Sequence, residues 1–173
     1  MPRRKRVFKK HEIRCDEKFN SILISKLINN FMIKGKKNTA KKIVYSALEV
    51  VGEITGKKSV DVFATAIKNV TPLLEIKTRR IGAVNYQVPI EISHDRGINI
   101  ALKFIVKASR DKNVKKLNKL PPVKKIKLNK YSLINSLATV IIDSANNTGK
   151  AVEFKETQHK IAESNKANAR YRW

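Results

Sequence analysis

Glu75-Ile76-Lys77-Thr78-Arg79-Arg80-Ile81-Gly82-Ala83-Val84-Asn85-Tyr86-Gln87-Val88-Pro89-Ile90-Glu91-Ile92 reads as two β-strands doubling back on each other. Both arms are rich in Ile, Val, Thr and Tyr, and Gly82 through Asn85 supply turn chemistry. In the first arm Lys77 and Arg79 share a face by the two-residue period of a strand, while Arg80 falls on the other. A two-stranded ribbon has no core of its own and must lean on neighbouring elements or on a partner. Three cations close to its turn make an anion the natural partner.

The rest of the chain strengthens that expectation. Its 173 residues suffice for one buried core, and they hold 38 Lys and Arg against 14 Asp and Glu, a formal charge of +24. So large an imbalance repels itself unless something outside neutralises it, and a polyphosphate chain does so most readily. No apolar run approaches the roughly 20 residues of a membrane-spanning helix, and the basic start is not followed by the apolar segment of a secretory signal. Cys15 stands alone, which excludes an intramolecular disulfide and fits a reducing compartment.

Outward from the ribbon, the pattern is helical. Residues 1–18 form a basic arm with Arg3, Arg4, Lys5, Arg6, Lys9, Lys10 and Arg14, expected to order only on a polyanion. Phe19, Ile22, Leu23, Leu27 and Phe31 recur at helical spacing over about 19–32, and Gly35 ends that helix. Lys36 and Lys37 lead to Asn38 or Thr39 as the cap of a second helix, with Ile43, Val44, Ala47, Leu48 and Val51 as its apolar stripe. Ser59 is the expected cap of a third helix facing inward through Phe63, Ile67 and Val70, stopped by Pro72. After the ribbon, at about 74–92, Asp95 reads as the cap of a fourth helix lined by Ile98, Ala101, Leu102, Ile105 and Ala108.

Periodicity then fades. From about 110 to 130 the chain carries Lys112, Lys115, Lys116, Lys119, Lys124, Lys125, Lys127 and Lys130 around Pro121-Pro122, which reads as an extended, partner-dependent loop. Ser132 opens a fifth helix, with Leu133, Leu137, Val140 and Ile141 inward. A turn at 146–149 precedes a weakly apolar last helix from Glu153 to about Ala169, packing through Ile161 and Ala162. The chain ends Arg170-Tyr171-Arg172-Trp173, where a Trp between cations suits stacking on a base or on a neighbouring surface. The expected fold is therefore mainly α: six helices in one domain over 19–173, with a two-stranded hairpin protruding between the third and fourth.

Catalytic chemistry is absent from the pattern. Gly35-Lys36-Lys37 lacks the leading glycine and the Ser or Thr of a phosphate-binding nucleotide loop. His11, His94 and His159 have no ligand partners at metal spacing, and no glycine-framed serine occurs. Neither enzyme activity, cofactor nor metal is expected.

Three segments carry a family resemblance. They are Lys18-Phe19 with Gly35-Lys36-Lys37 and Ile43-Val44-Tyr45-Ser46-Ala47; the ribbon strands Glu75 to Gly82 and Tyr86 to Glu91; and His159 to Ala167 with Tyr171-Arg172-Trp173. Together with Pro2-Arg3-Arg4 they make the chain similar to bacterial-type small-subunit ribosomal protein seven, over nearly its whole length outside about 110–128. Two positions depart: the family's basic pair at the start of the fourth helix is Arg96-Gly97 here, and its tryptophan in that helix is Phe104.

The resemblance implies a primary rRNA-binding protein that nucleates assembly of the subunit head, with its ribbon near mRNA and exit-site tRNA. It also implies head and platform ribosomal proteins as neighbours, with no membrane and no homo-oligomer. Expected rRNA contacts are Arg3, Arg4, Arg6, Lys9, Lys10, Lys36, Lys37, Lys77, Arg79, Arg80 and Arg96; the stretch of about 110–128 looks like an insertion outside the resemblance, and its charge makes Lys115, Lys116, Lys124 and Lys125 an expected extra rRNA tether. Expected near tRNA or mRNA are Gly82, Ala83, Val84, Asn85, Tyr86, Arg170, Arg172 and Trp173. The location would be the cytoplasmic ribosome, or a plastid or mitochondrial one if the gene is organellar. Two other readings stand beside this one. A DNA-binding regulator lacks a helix with a base-reading Arg, Asn and Gln face, and a transient RNA chaperone or assembly factor would not stay on mature subunits.

Overall fold

A computed structural model describes residues 13–118 and 122–171, with backbone alone for 112–118 and 122–131. The element order is α1 (Ile22–Phe31), α2 (Lys37–Thr55), α3 (Ser59–Val70), β1 (Leu74–Ile81), β2 (Val84–Glu91), α4 (His94–Asn118), α5 (Pro122–Ala145), α6 (Lys150–Ser164) and a closing 3₁₀ turn (Lys166–Tyr171). The expected mainly helical fold with a ribbon between the third and fourth helices is what forms.

Helix α5 is the hub. It packs on α2, α3 and α4, while α1 closes against α2 and α4. The stripes expected on α2 and α3 are buried, with Val44, Ala47, Leu48, Val51, Phe63 and Val70 at 0% exposure. Helix α1 turns differently: Ile24 and Ile28 are buried with Leu27 and Phe31, whereas Ile22 is 47% exposed. The helix begins later than expected because Asp16 closes a separate turn, accepting the N–H groups of Lys18 and Phe19 at 3.2 and 3.3 Å. In α6 the inner face is Ala151, Val152 and Ala162, and Ile161 points outward at 42% exposure.

Three capping expectations are corrected. Helices α2 and α3 follow Lys36 and Lys58 with no side-chain cap, so Asn38, Thr39 and Ser59 lie inside the first turns. Asp95 likewise sits within the first turn of α4, where its charge complements the helix dipole. The backbone N–H of Gly97 bonds the carbonyl of Ser93 at 2.9 Å, so the helical ladder already begins at Ser93.

The loop expected over 110–130 is also corrected. Helix α4 continues to Asn118 and α5 already runs from Pro122, so Lys115 and Lys116 belong to α4, and Lys124 and Lys125 to α5. Lysine and leucine are good helix formers. Pro122 takes the first helical position, where its missing N–H costs nothing. Pro122 thus opens a helix, and Pro121 lies outside the described residues.

The ribbon is antiparallel, paired from Leu74↔Glu91 to Ile81↔Val84. Its loop is only Gly82-Ala83, tighter than the expected Gly82–Asn85. Gly82 has φ +61°, a left-handed conformation that glycine reaches without strain at the first loop position.

Candidate nucleic-acid interface

The register fixes how the ribbon presents its side chains. Lys77 faces Val88, Arg79 faces Tyr86 and Arg80 faces Asn85, so Lys77 and Arg79 share one face and Arg80 the opposite one, as the two-residue period requires. Val88, on the face of Tyr86, is fully buried, whereas Arg80 is exposed and its Nε donates to the Gly82 carbonyl at 3.2 Å. The turn residues Gly82, Ala83, Val84 and Asn85 are exposed.

What holds the ribbon is the end of the chain. Helix α6 packs on β1, and the 3₁₀ turn packs on β2. Gln158 Nε2 donates to the Leu74 carbonyl at 2.9 Å, and the Leu73 N–H donates to His159 Nε2 at 3.1 Å. Asn168 Nδ2 donates to the Gln87 carbonyl at 3.1 Å. Tyr171 meets Tyr86 ring to ring, with centroids 4.9 Å apart, and the Arg170 guanidinium lies 5.0 Å from the Tyr171 ring. The fold thus gathers Arg79, Tyr86, Arg170 and Tyr171 into one cationic and aromatic surface. Such a surface can meet phosphates with its arginines and bases with its rings. Arg172 and Trp173 lie outside the described residues, as do Arg3, Arg4, Arg6, Lys9 and Lys10.

At the ribbon's base the charges behave differently. Glu75 is buried, and its carboxylate accepts from Arg96 Nε at 2.7 Å and pairs with Lys77 Nζ at 3.3 Å. Burial alone would raise this carboxyl. The hydrogen bonds and charges of Arg96 and Lys77 outweigh it and hold the group below its ordinary value. Lys77 and Arg96 are therefore partly neutralised from within, and Glu75 is a residue that the sequence reading did not single out. Its signal was there: one acid at the head of a basic strand, two residues before a lysine.

Gly97, beside Arg96, has a steric cause for being small. A Cβ there would meet Thr71 Cγ2 at 2.9 Å. The Thr71 hydroxyl is committed to the Ile67 carbonyl at 2.7 Å, so the methyl has little freedom to move.

Lys36 and Lys37 stand at the start of α2, both exposed. The uncapped N–H groups and the positive end of the helix dipole favour an anion at this point. Lys37 also lines a groove with Lys41 and the root of the basic arm, Ile13 to Glu17. That root is anchored: Asp16 Oδ1 accepts from the Tyr45 hydroxyl at 2.7 Å, and Lys41 pairs with Glu17 at 2.7 Å. Burial, reinforced by the bond to Asp16, pushes the Tyr45 phenol up to about 12.

No helix among the described residues is long and apolar enough to cross a membrane. Fold and charge together define a helical, ribbon-bearing protein whose surface is built to meet a polyanion. The model of the ribosomal protein S7p/S5e family matches residues 2–166. Relatives named small ribosomal subunit protein uS7 align over the full length of both chains: 44% identical in Heliobacterium modesticaldum and in Pelotomaculum thermopropionicum, and 41% in Clostridioides difficile. The chain belongs to the ribosomal protein S7p/S5e family, a family of structural proteins rather than enzymes.

Proposed function

We propose that this protein is a structural component of the small ribosomal subunit that binds rRNA of the head and helps nucleate its folding. The full-length similarity to uS7 proteins carries the reading. The structure adds support by joining the ribbon tip and the C-terminal turn in one surface, through the Tyr86–Tyr171 contact. Arg79, Arg80, Lys36 and Lys37 are assigned to phosphate contacts, and Lys77 and Arg96 to weaker ones because Glu75 already engages them. The basic arm and Lys115, Lys116, Lys124 and Lys125 would add further contacts. Phosphate and sugar contacts position a protein on RNA and read its shape rather than its sequence. The turn residues Gly82 to Tyr86, with Arg170, Arg172 and Trp173, are assigned to the mRNA and exit-site tRNA side.

The relatives named above are bacterial, which favours a cytoplasmic ribosome; an organellar ribosome receives no support from them. The test is twofold. The protein should stay on mature small subunits through a high-salt wash, and it should prefer the head region of small-subunit rRNA to duplex DNA at equal salt. Loss in the wash together with equal affinity for both nucleic acids would overturn the proposal.

A further inference from the structure

Several surface cations are held by acids: Lys18 by Glu49, Lys41 by Glu17, and Lys77 and Arg96 by Glu75. One group of cations is held in another way. Lys103, Lys107 and Arg110 follow one another at helical spacing along α4 and line a cleft of about 310 Å³ with Asn30 of α1. Lys107 Nζ sits 4.8 Å from the centre of the Phe154 ring. The Arg110 guanidinium lies 5.6 Å from the Phe31 ring and donates to the Phe31 carbonyl at 3.1 Å. Lys103 has no ion-pair partner among the described residues. Asp111 also lines the cleft and lies 3.8 Å from Lys150, which engages its charge.

Rings and a carbonyl fix the position of a cation without cancelling its charge. The cleft therefore keeps three aligned positive charges, in a place where like charges at this spacing disfavour each other. We infer that the cleft between α1 and α4 is a seat for backbone phosphates of RNA, gripped by Lys103, Lys107 and Arg110. Its chemistry suits the oxygens of a phosphate. The cationic side chains offer donors to its oxygens, the faces of Phe31 and Phe154 each carry a cation, and Asn30 gives one amide N–H to the Lys26 carbonyl at 3.0 Å, which leaves its second N–H for the ligand. Arg110 is pre-aimed, with further guanidinium N–H groups left for a phosphate oxygen.

This inference rests on the proposed rRNA binding and adds a contact that the sequence reading did not assign. Its test uses the full chain and the 3′ major domain of small-subunit rRNA, with affinity measured across a range of salt. The Lys103→Gln/Lys107→Gln variant should bind roughly tenfold more weakly, and its salt dependence should flatten by about 1.5 in log–log slope, two phosphate contacts' worth. Lys103→Arg/Lys107→Arg should restore both. Lys57→Gln/Lys58→Gln removes the same charge at the α2–α3 corner and should leave the slope near that of the wild type. Equal losses in the two Gln variants, or none in the cleft variant, would overturn the seat. A wild-type protein with no preference for this RNA over other polyanions would instead overturn the proposed function.

Discussion

Replacing Glu75 by Gln keeps the shape at the ribbon's base and removes the charge that Arg96 and Lys77 share. Hydrogen bonds to a charged group contribute about 1.5–3 kcal/mol each when desolvated. Here the carboxylate is buried, but the Arg96 and Lys77 side chains are 57% and 50% exposed and regain water once released. Solvent screening brings the expected loss down to about 1–2 kcal/mol for the whole trio. For a chain of this size that is a fall in melting temperature of about 3–6 °C.

The pH dependence makes the test sharp. The folded-state pKa of Glu75 lies below its ordinary value. Its contribution is therefore fully present above the unfolded carboxyl pKa of about 4.3 and is lost as pH falls through the lower folded value. Thermal melts of wild type and Glu75→Gln, followed by circular dichroism from pH 8 to pH 3, should differ by a constant amount down to about pH 5. Below that the gap should narrow progressively as pH falls. A gap that persists unchanged to pH 3, or none at pH 7, would refute the reasoning.

Gly97→Ala should lower stability by about 1–2 kcal/mol despite alanine's better helix propensity, because the new methyl meets Thr71 Cγ2. Thr71→Ser, which deletes that methyl and keeps the hydroxyl, should recover most of the loss in a denaturant titration of the double variant; no recovery would exclude the clash. Asp16→Asn should bring the Tyr45 phenol down from about 12, visible in the ultraviolet titration of tyrosinate, and an unmoved titration would mean that burial alone sets it. Deleting residues 112–127 and rejoining the helices with a short turn should weaken rRNA affinity and flatten its salt dependence. An unchanged slope would show that this lysine-rich part of α4 and α5 touches no phosphate.

The amino-acid order by itself determined much of what repeats over short distances. The stripes of α2, α3 and α5 and the alternation in Glu75 to Ile92 are periodicities, legible because a residue's face depends only on its spacing from its neighbours. The same logic placed Lys77 and Arg79 together, opposite Arg80. Local rules failed where packing chose among near-equal local options. Ile28 rather than Ile22 faces the core, α2 and α3 start without the available Asn, Thr and Ser caps, and the Lys-rich sequence up to Asn118 and from Pro122 onward is helical. The prolines looked like breakers, yet Pro122 stands where a helix tolerates one.

Only the tertiary structure decided which charges are spent and which remain for a partner. Glu75 with Arg96, Tyr86 with Tyr171, and Lys107 with Phe154 are pairings between residues distant in the chain, and no local period encodes them. A count of lysines and arginines announces a polyanion partner. The free energy of each contact depends instead on whether a carboxylate, a ring or water already faces the cation, and folding alone sets that.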